Sequence, residues 1–145
     1  MLQGLRILVT QADVFMGPAL CQTLRAHGAT VLADTRSLTT ADAVASMVEH
    51  HGHIDVLLAN LAVPAPSTPA ADVEDAEWQH MFNSMVHPLQ RLVKAVLPQM
   101  VSRGQGKIVV MGSASAVRGM KRSSSYSAAR GAQLAYVQAL GVELA

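Results

Sequence analysis

Four short apolar runs constrain this chain more than any other feature: Arg6-Ile-Leu-Val-Thr10, Thr30-Val-Leu-Ala-Asp34, Ile54-Asp-Val-Leu-Leu-Ala59 and Lys107-Ile-Val-Val-Met111. Each is too short for a buried helix and rich in branched residues, so each reads as a strand. Near-continuous apolarity implies burial on both faces, the pattern of a parallel sheet. Between the runs, helix-period stretches lie at about 16–27, 41–51, 75–103 and 124–145. Strands alternating with helices predict βαβ crossovers and a doubly wound parallel α/β sheet. The length, 145 residues, suits a single domain over 1–145.

Punctuation fits this order. Gly28 and Gly52 stand where the first two helices should stop, and Gly104 and Gly106 where the third should. Pro64, Pro66 and Pro69 make 61–72 a loop, and Asp72, Glu74, Asp75 and Glu77 open the next helix with charge that complements its dipole. Ser123, Ser124 and Ser125 are expected to cap the last helix. That helix runs to Ala145 with no further strand, so strand 107–111 is expected as an open edge. The chain accordingly reads as the first part of a larger domain.

Composition removes several functions. Half the residues are hydrophobic and 14% charged, which excludes a disordered chain. Eleven Lys and Arg against ten Asp and Glu, with no basic stripe, leave no electrostatic footprint for nucleic acid. The one cysteine, Cys21, excludes a disulfide scaffold and suits a reducing cytoplasm. No apolar run approaches the ~18–20 residues of a membrane span, and Gln3, Gly4 and Arg6 do not make a signal peptide. His50, His51 and His53 gather at a helix end, where they complement the dipole, and no metal site is expected. His87 before Pro88 reads as a buried structural histidine, the eight Met residues as core filler, and Trp78 and Tyr136 as helix-packing residues.

Two segments carry chemistry. Strand one feeds a helix through Thr10-Gln-Ala-Asp-Val-Phe-Met-Gly17, the place where a glycine loop would cradle a dinucleotide. Only Gly17 stands there as glycine; a phenyl group at Phe15 fills the space a pyrophosphate needs. Asp34 ends strand two, but the next strand begins at Ile54, without the further helix and strand of a full nucleotide-binding half; Asp34 reads as a strand-end cap. The second segment joins Ser113, just after strand 107–111, to Tyr126 and Arg130 on the last helix. Their i,i+4 spacing puts phenol and guanidinium on one helix face. A free phenol is a poor base at neutral pH. A guanidinium ~6 Å away, in an effective dielectric of ~20, stabilises a phenolate by about 3 kcal/mol. Arginine keeps its proton throughout, and the serine hydroxyl can hold a substrate oxygen. Ser115 is the rival serine, but Ser113 has the better spacing to Tyr126.

These residues resemble the Ser–Tyr–Lys set of the short-chain dehydrogenase/reductase family, with Arg130 in the lysine position. On that family's Thr-Gly-x-x-x-Gly-x-Gly frame, Gln11 and Phe15 replace the first two glycines. Its Asn-Asn-Ala-Gly motif is here Ala59-Asn60-Leu61-Ala62, and its helical Asn is Met85. The departures are similar to the halohydrin dehalogenases, a cofactor-free offshoot with a Ser–Tyr–Arg triad, and closest to their B-type members. Gly52-His-Ile-Asp-Val-Leu-Leu-Ala-Asn60, His87-Pro-Leu, Leu97-Pro-Gln, Gly106-Lys-Ile-Val-Val-Met-Gly-Ser113 and Tyr126-Ser-Ala-Ala-Arg130 extend the likeness.

The resemblance implies a Rossmann-like fold without a working dinucleotide loop, no cofactor and a C-terminally incomplete chain. It implies conversion of vicinal halohydrins to epoxides plus halide, with Ser113, Tyr126 and Arg130 catalytic. The halide would rest against Phe15, and small anions would reopen the epoxide. A homo-oligomer, dimer or tetramer, through helices 75–103 and 124–145 is also implied. Two other classes stay open on the residues alone: a divergent NAD(P)-dependent oxidoreductase and an inactive interaction subunit. Titration with NADH separates the first of these, and halide release the second.

Overall fold

All four apolar runs form strands of one parallel sheet in the computed structural model, which describes residues 2–145. They are β1 (Arg6–Val9), β2 (Thr30–Ala33), β3 (Val56–Ala59) and β4 (Lys107–Val110), in the order β2-β1-β3-β4. Register runs Arg6 with Thr30 on one side of β1, and Ile7 with Val56 on the other; Val56 in turn pairs with Lys107. The chain leaves β1 towards β2 and then returns to place β3 on the opposite side. The carboxyl ends of β1 and β3 therefore flank the point where winding reverses, the place where open α/β sheets bind ligands.

Burial on both faces holds only for the central pair. Ile7, Leu8, Val9 and all of Val56–Ala59 are buried, whereas Thr30, Ala33, Lys107 and Val109 are exposed. The cause is strand order: β2 and β4 are the two edges, with a strand neighbour on one side only.

The described residues pack as two compact units. One comprises the segments up to Ala62 and Pro88–Met111, and holds the sheet with α1 (Gly17–Ala26), α2 (Ala41–His51) and most of α4 (His87–Arg103). Ile7, Val9, Cys21, Val56 and Leu58 form a core cluster in it. Thr40 caps α2 by accepting from the Ala43 N–H, and Gly52, at φ 68°, closes it. The other unit comprises Val63–His87 and Gly112–Ala145. It holds α3 (Asp75–Met85), α5 (Ser115–Arg118) and α6 (Ser124–Glu143), around a core of Met81, Met85, Tyr126 and Ala129.

Several expectations are corrected. The stretch 75–103 is two helices, α3 and α4, interrupted at Val86. Pro88 has no N–H to give the Ser84 carbonyl, so the ladder cannot run through. Ser123 stands at the N-cap of α6 but makes no side-chain cap bond. Its hydroxyl donates instead to the Pro66 carbonyl, and that of Ser125 to Glu77. Trp78, expected as a helix-packing residue, is 44% exposed and stacks on Phe82 of its own helix. His87, the first residue of α4, is exposed rather than buried. Met47, Met81, Met85 and Met100 are core residues, but Met16 and Met120 are exposed; Met1 lies outside the described residues. Tyr136 is half-buried, and burial, then Glu143, pushes its phenol up.

Candidate active site

The β1–α1 loop is built as a glycine loop but made from other residues. Gln11 and Phe15 adopt left-handed backbone, at φ 46° and 54°. Each L-residue there carries about 1 kcal/mol of strain that glycine would not. Gly17 is different: a Cβ there would lie 2.4 Å from the Gln11 carbonyl oxygen and 2.6 Å from the Ala12 carbonyl carbon, so only glycine fits. Asn60, fully buried at the end of β3, clamps the loop by donating from Nδ2 to the carbonyls of Gln11 (3.0 Å) and Val14 (3.1 Å). Thr10 Oγ1 donates to the Asn60 carbonyl at 3.1 Å, and Gln11 Oε1 accepts from the Ala62 N–H at 3.1 Å. Phe15 projects outward, 70% exposed.

In the other unit, the first turn of α6 carries Tyr126, and Arg130 follows one turn on. Arg130 Nε donates to the Tyr126 hydroxyl at 3.1 Å, and the guanidinium carbon lies 5.1 Å from the ring centroid. Both residues are buried, at 9% and 2% exposure. Nη1 of Arg130 donates to Gln133 Oε1 at 3.0 Å, and Gln133 Nε2 donates to the Met85 carbonyl at 2.8 Å. The phenol oxygen therefore accepts a charge-assisted hydrogen bond from a buried cation.

Ser113 lies just before α5, and α5 packs against α6. A Cβ at Gly131 would lie 3.7 Å from the Ala116 carbonyl, so the two helices meet one residue beyond Arg130. Ser113 Oγ accepts twice from Ser115, from its hydroxyl at 2.9 Å and its N–H at 3.2 Å. With both lone pairs engaged, Ser113 keeps its own proton for donation. Ser115, discounted on spacing, is thus the residue that orients Ser113.

The start of α6 is anchored from α3. Ser125 Oγ donates to Glu77 Oε1 at 2.5 Å and Thr68 Oγ1 to Oε2 at 2.7 Å. The Ser125 bond first, then that of Thr68, holds the Glu77 carboxyl below its ordinary range, against a smaller opposing effect of burial.

The histidines do not converge. His51 Nε2 bonds Asp34 Oδ2 at 2.8 Å, and His53 Nε2 bonds Asp55 Oδ1 at 2.6 Å. Asp34, buried at 4% exposure, also accepts the Arg36 N–H at 2.8 Å. The Arg6 N–H first, and then His53, holds the Asp55 carboxyl low. Among the described residues no group of three or more His, Cys, Asp or Glu is placed to hold a metal ion.

A family model described as short chain dehydrogenase matches residues 3–145. The chain belongs to the short-chain dehydrogenase family. It is 28% identical over 141 residues to 2-keto-3-deoxy-L-fuconate dehydrogenase of Xanthomonas campestris, covering 97% of this chain and 45% of that protein. To dehydrogenase/reductase SDR family member 4 of Bos taurus it is 33% identical over 102 residues, covering 70% and 37%. The chain therefore spans less than half the length of these curated relatives. Among solved structures, one named dehalogenation enzyme superposes with a TM-score of 0.88 at 30% identity, over 99% of this chain and 68% of its own. NAD+-bound xylitol dehydrogenase superposes at 0.90 with 22% identity, over 99% and 66%, a likeness of fold.

The family implies a nicotinamide dinucleotide, and the residues here do not fit one. A pyrophosphate approaches bare backbone at such a loop, and Gln11 and Phe15 stand at two of its left-handed positions where glycine would leave no Cβ. Asp34, at the end of β2, already accepts from the Arg36 N–H and bonds His51, as a strand-end cap does. Among the described residues β2 is an edge strand of the sheet.

Proposed function

We propose that this chain carries the catalytic residues of a cofactor-independent halohydrin dehalogenase, a carbon–halogen lyase. The observation that carries the reading is the buried hydrogen bond from Arg130 to the Tyr126 phenol. A permanently charged guanidinium in that place favours a phenolate base, and the reaction asks for a base and no hydride carrier. The loop with side chains at two glycine positions and the 30% identical dehalogenation enzyme support it.

In this reading Ser113 donates to the substrate oxygen and Tyr126 removes its proton. The alkoxide electron pair then forms a C–O bond to the neighbouring carbon as the carbon–halogen bond breaks. Epoxide and halide leave, and the proton passes from Tyr126 to solvent. Arg130 stabilises the phenolate, and we assign Phe15 to the halide side. Small anions reverse the sequence by opening the epoxide. A reducing cytoplasm and a homo-oligomer through α3, α4 and α6 complete the proposal.

The test is halide release from 1,3-dichloro-2-propanol without added dinucleotide. Tyr126→Phe is expected to lower it by ~10²–10⁴, as loss of a general base does, and Ser113→Ala by a similar factor. Activity retained in either variant removes that residue from the mechanism. Phe15→Ala should weaken inhibition by bromide; an unchanged inhibition constant removes Phe15 from the halide side.

A further inference from the structure

We infer that Gln133 is a positioning residue for the Tyr126–Arg130 pair, fixing the guanidinium against the phenol through a neutral amide. The inference rests on the reading of Tyr126 as the base. A guanidinium is planar, with donors in a rigid fork, so fixing two nitrogens fixes the plane. Here Nε meets the Tyr126 hydroxyl and Nη1 meets Gln133 Oε1, at 3.1 and 3.0 Å. The amide is fixed in turn, because Gln133 Nε2 donates to the carbonyl of Met85, the last residue of α3. Helix-terminal carbonyls have no intrahelical partner, so this acceptor is free to take it. Gln133 is 2% exposed, and burial of an amide is tolerable only with both ends bonded, as they are. The position requires an acceptor towards Arg130, a donor towards Met85 and no charge. Glutamate would supply the acceptor but set a carboxylate against the guanidinium, cancelling its field at the phenol oxygen. An apolar side chain of equal size would hold neither neighbour.

The chain has two tyrosines, so Tyr136→Phe leaves Tyr126 as the single phenol. In that background the ratio of tyrosinate to tyrosine is read by ultraviolet difference absorbance at one alkaline pH where circular dichroism stays native. Gln133→Glu is expected to lower the ratio roughly tenfold, and Gln133→Met by a smaller factor. Folded variants whose ratios stay within about twofold of the parent overturn the inference. Should neither variant fold, exchange in the unsubstituted chain decides. Proton NMR then finds the Arg130 Nε–H and the Gln133 side-chain amide protected from solvent, and rapid exchange of both refutes the arrangement. None of these readouts involves a halohydrin. Should they be met while the protein that carries this chain releases no halide, the role of Gln133 stands and the dehalogenase reading falls.

Discussion

Replacing Phe15 by glycine and by alanine should reverse the usual order of the two residues. At an ordinary helix or strand position glycine is about 0.5–1 kcal/mol less stable than alanine. Phe15 sits at φ 54°, where an L-residue costs about 1–2 kcal/mol that glycine does not. The ring is 70% exposed, so removing it forfeits little apolar burial in either variant. Phe15→Ala keeps the backbone strain; Phe15→Gly releases it and gives back part through the freer unfolded chain. The difference is about 0.5–1 kcal/mol in favour of glycine, a few degrees in Tm for a chain of this length. Paired urea and thermal melts read it, with Ala19→Gly on the exposed face of α1 as the control, expected to lose about 1 kcal/mol. An alanine variant as stable as the glycine variant would show that the loop does not hold the left-handed conformation, and the argument about its glycine positions would go with it.

Gly17→Ala drives a Cβ into the backbone of residues 11 and 12, and should cost at least the ~1–3 kcal/mol of overpacking; urea melts check it, and a neutral result contradicts the close approach. Ser115→Ala should raise KM and lower kcat through a Ser113 left free to rotate, by less than Ser113→Ala does; equal losses would make Ser115 itself the substrate contact. Glu77 has its folded value depressed below the unfolded one, so its contribution is present above the ordinary carboxylate range and lost as pH falls through the folded value. The wild-type chain should therefore lose Tm more steeply in acid than Glu77→Gln, and parallel acid curves contradict the role of the Ser125 and Thr68 bonds.

Much of this was legible in residue order. Central strands announce themselves as runs of Ile, Leu and Val, and Tyr126 with Arg130 shows its shared face through spacing alone. Edge strands do not, because which of four similar runs lacks a neighbour depends on sheet order. Pro88 did print the break between α3 and α4, but a strong helical period on both sides masked it. Gln133 was also within reach, since Tyr126, Arg130 and Gln133 fall at i, i+4 and i+7 on one face. Its second partner, the Met85 carbonyl, comes from α3 and has no sequence signature. Ser123 and Ser125 look like caps in sequence, yet Ser123 accepts no helix N–H, and the two hydroxyls donate to Pro66 and Glu77, partners distant in sequence.

The central claim, base chemistry at Tyr126 without a dinucleotide, is tested most directly in the reverse direction. The protein that carries this chain is mixed with a terminal epoxide and azide in buffer free of NAD(P)H, and the azido alcohol is quantified by chromatography. The account predicts an azido alcohol formed by the protein that carries this chain, absent with Tyr126→Phe and unchanged in amount when NADPH is added. No azido alcohol from the folded protein that carries this chain, together with NADPH consumption when a ketone is supplied, would contradict it and favour an oxidoreductase.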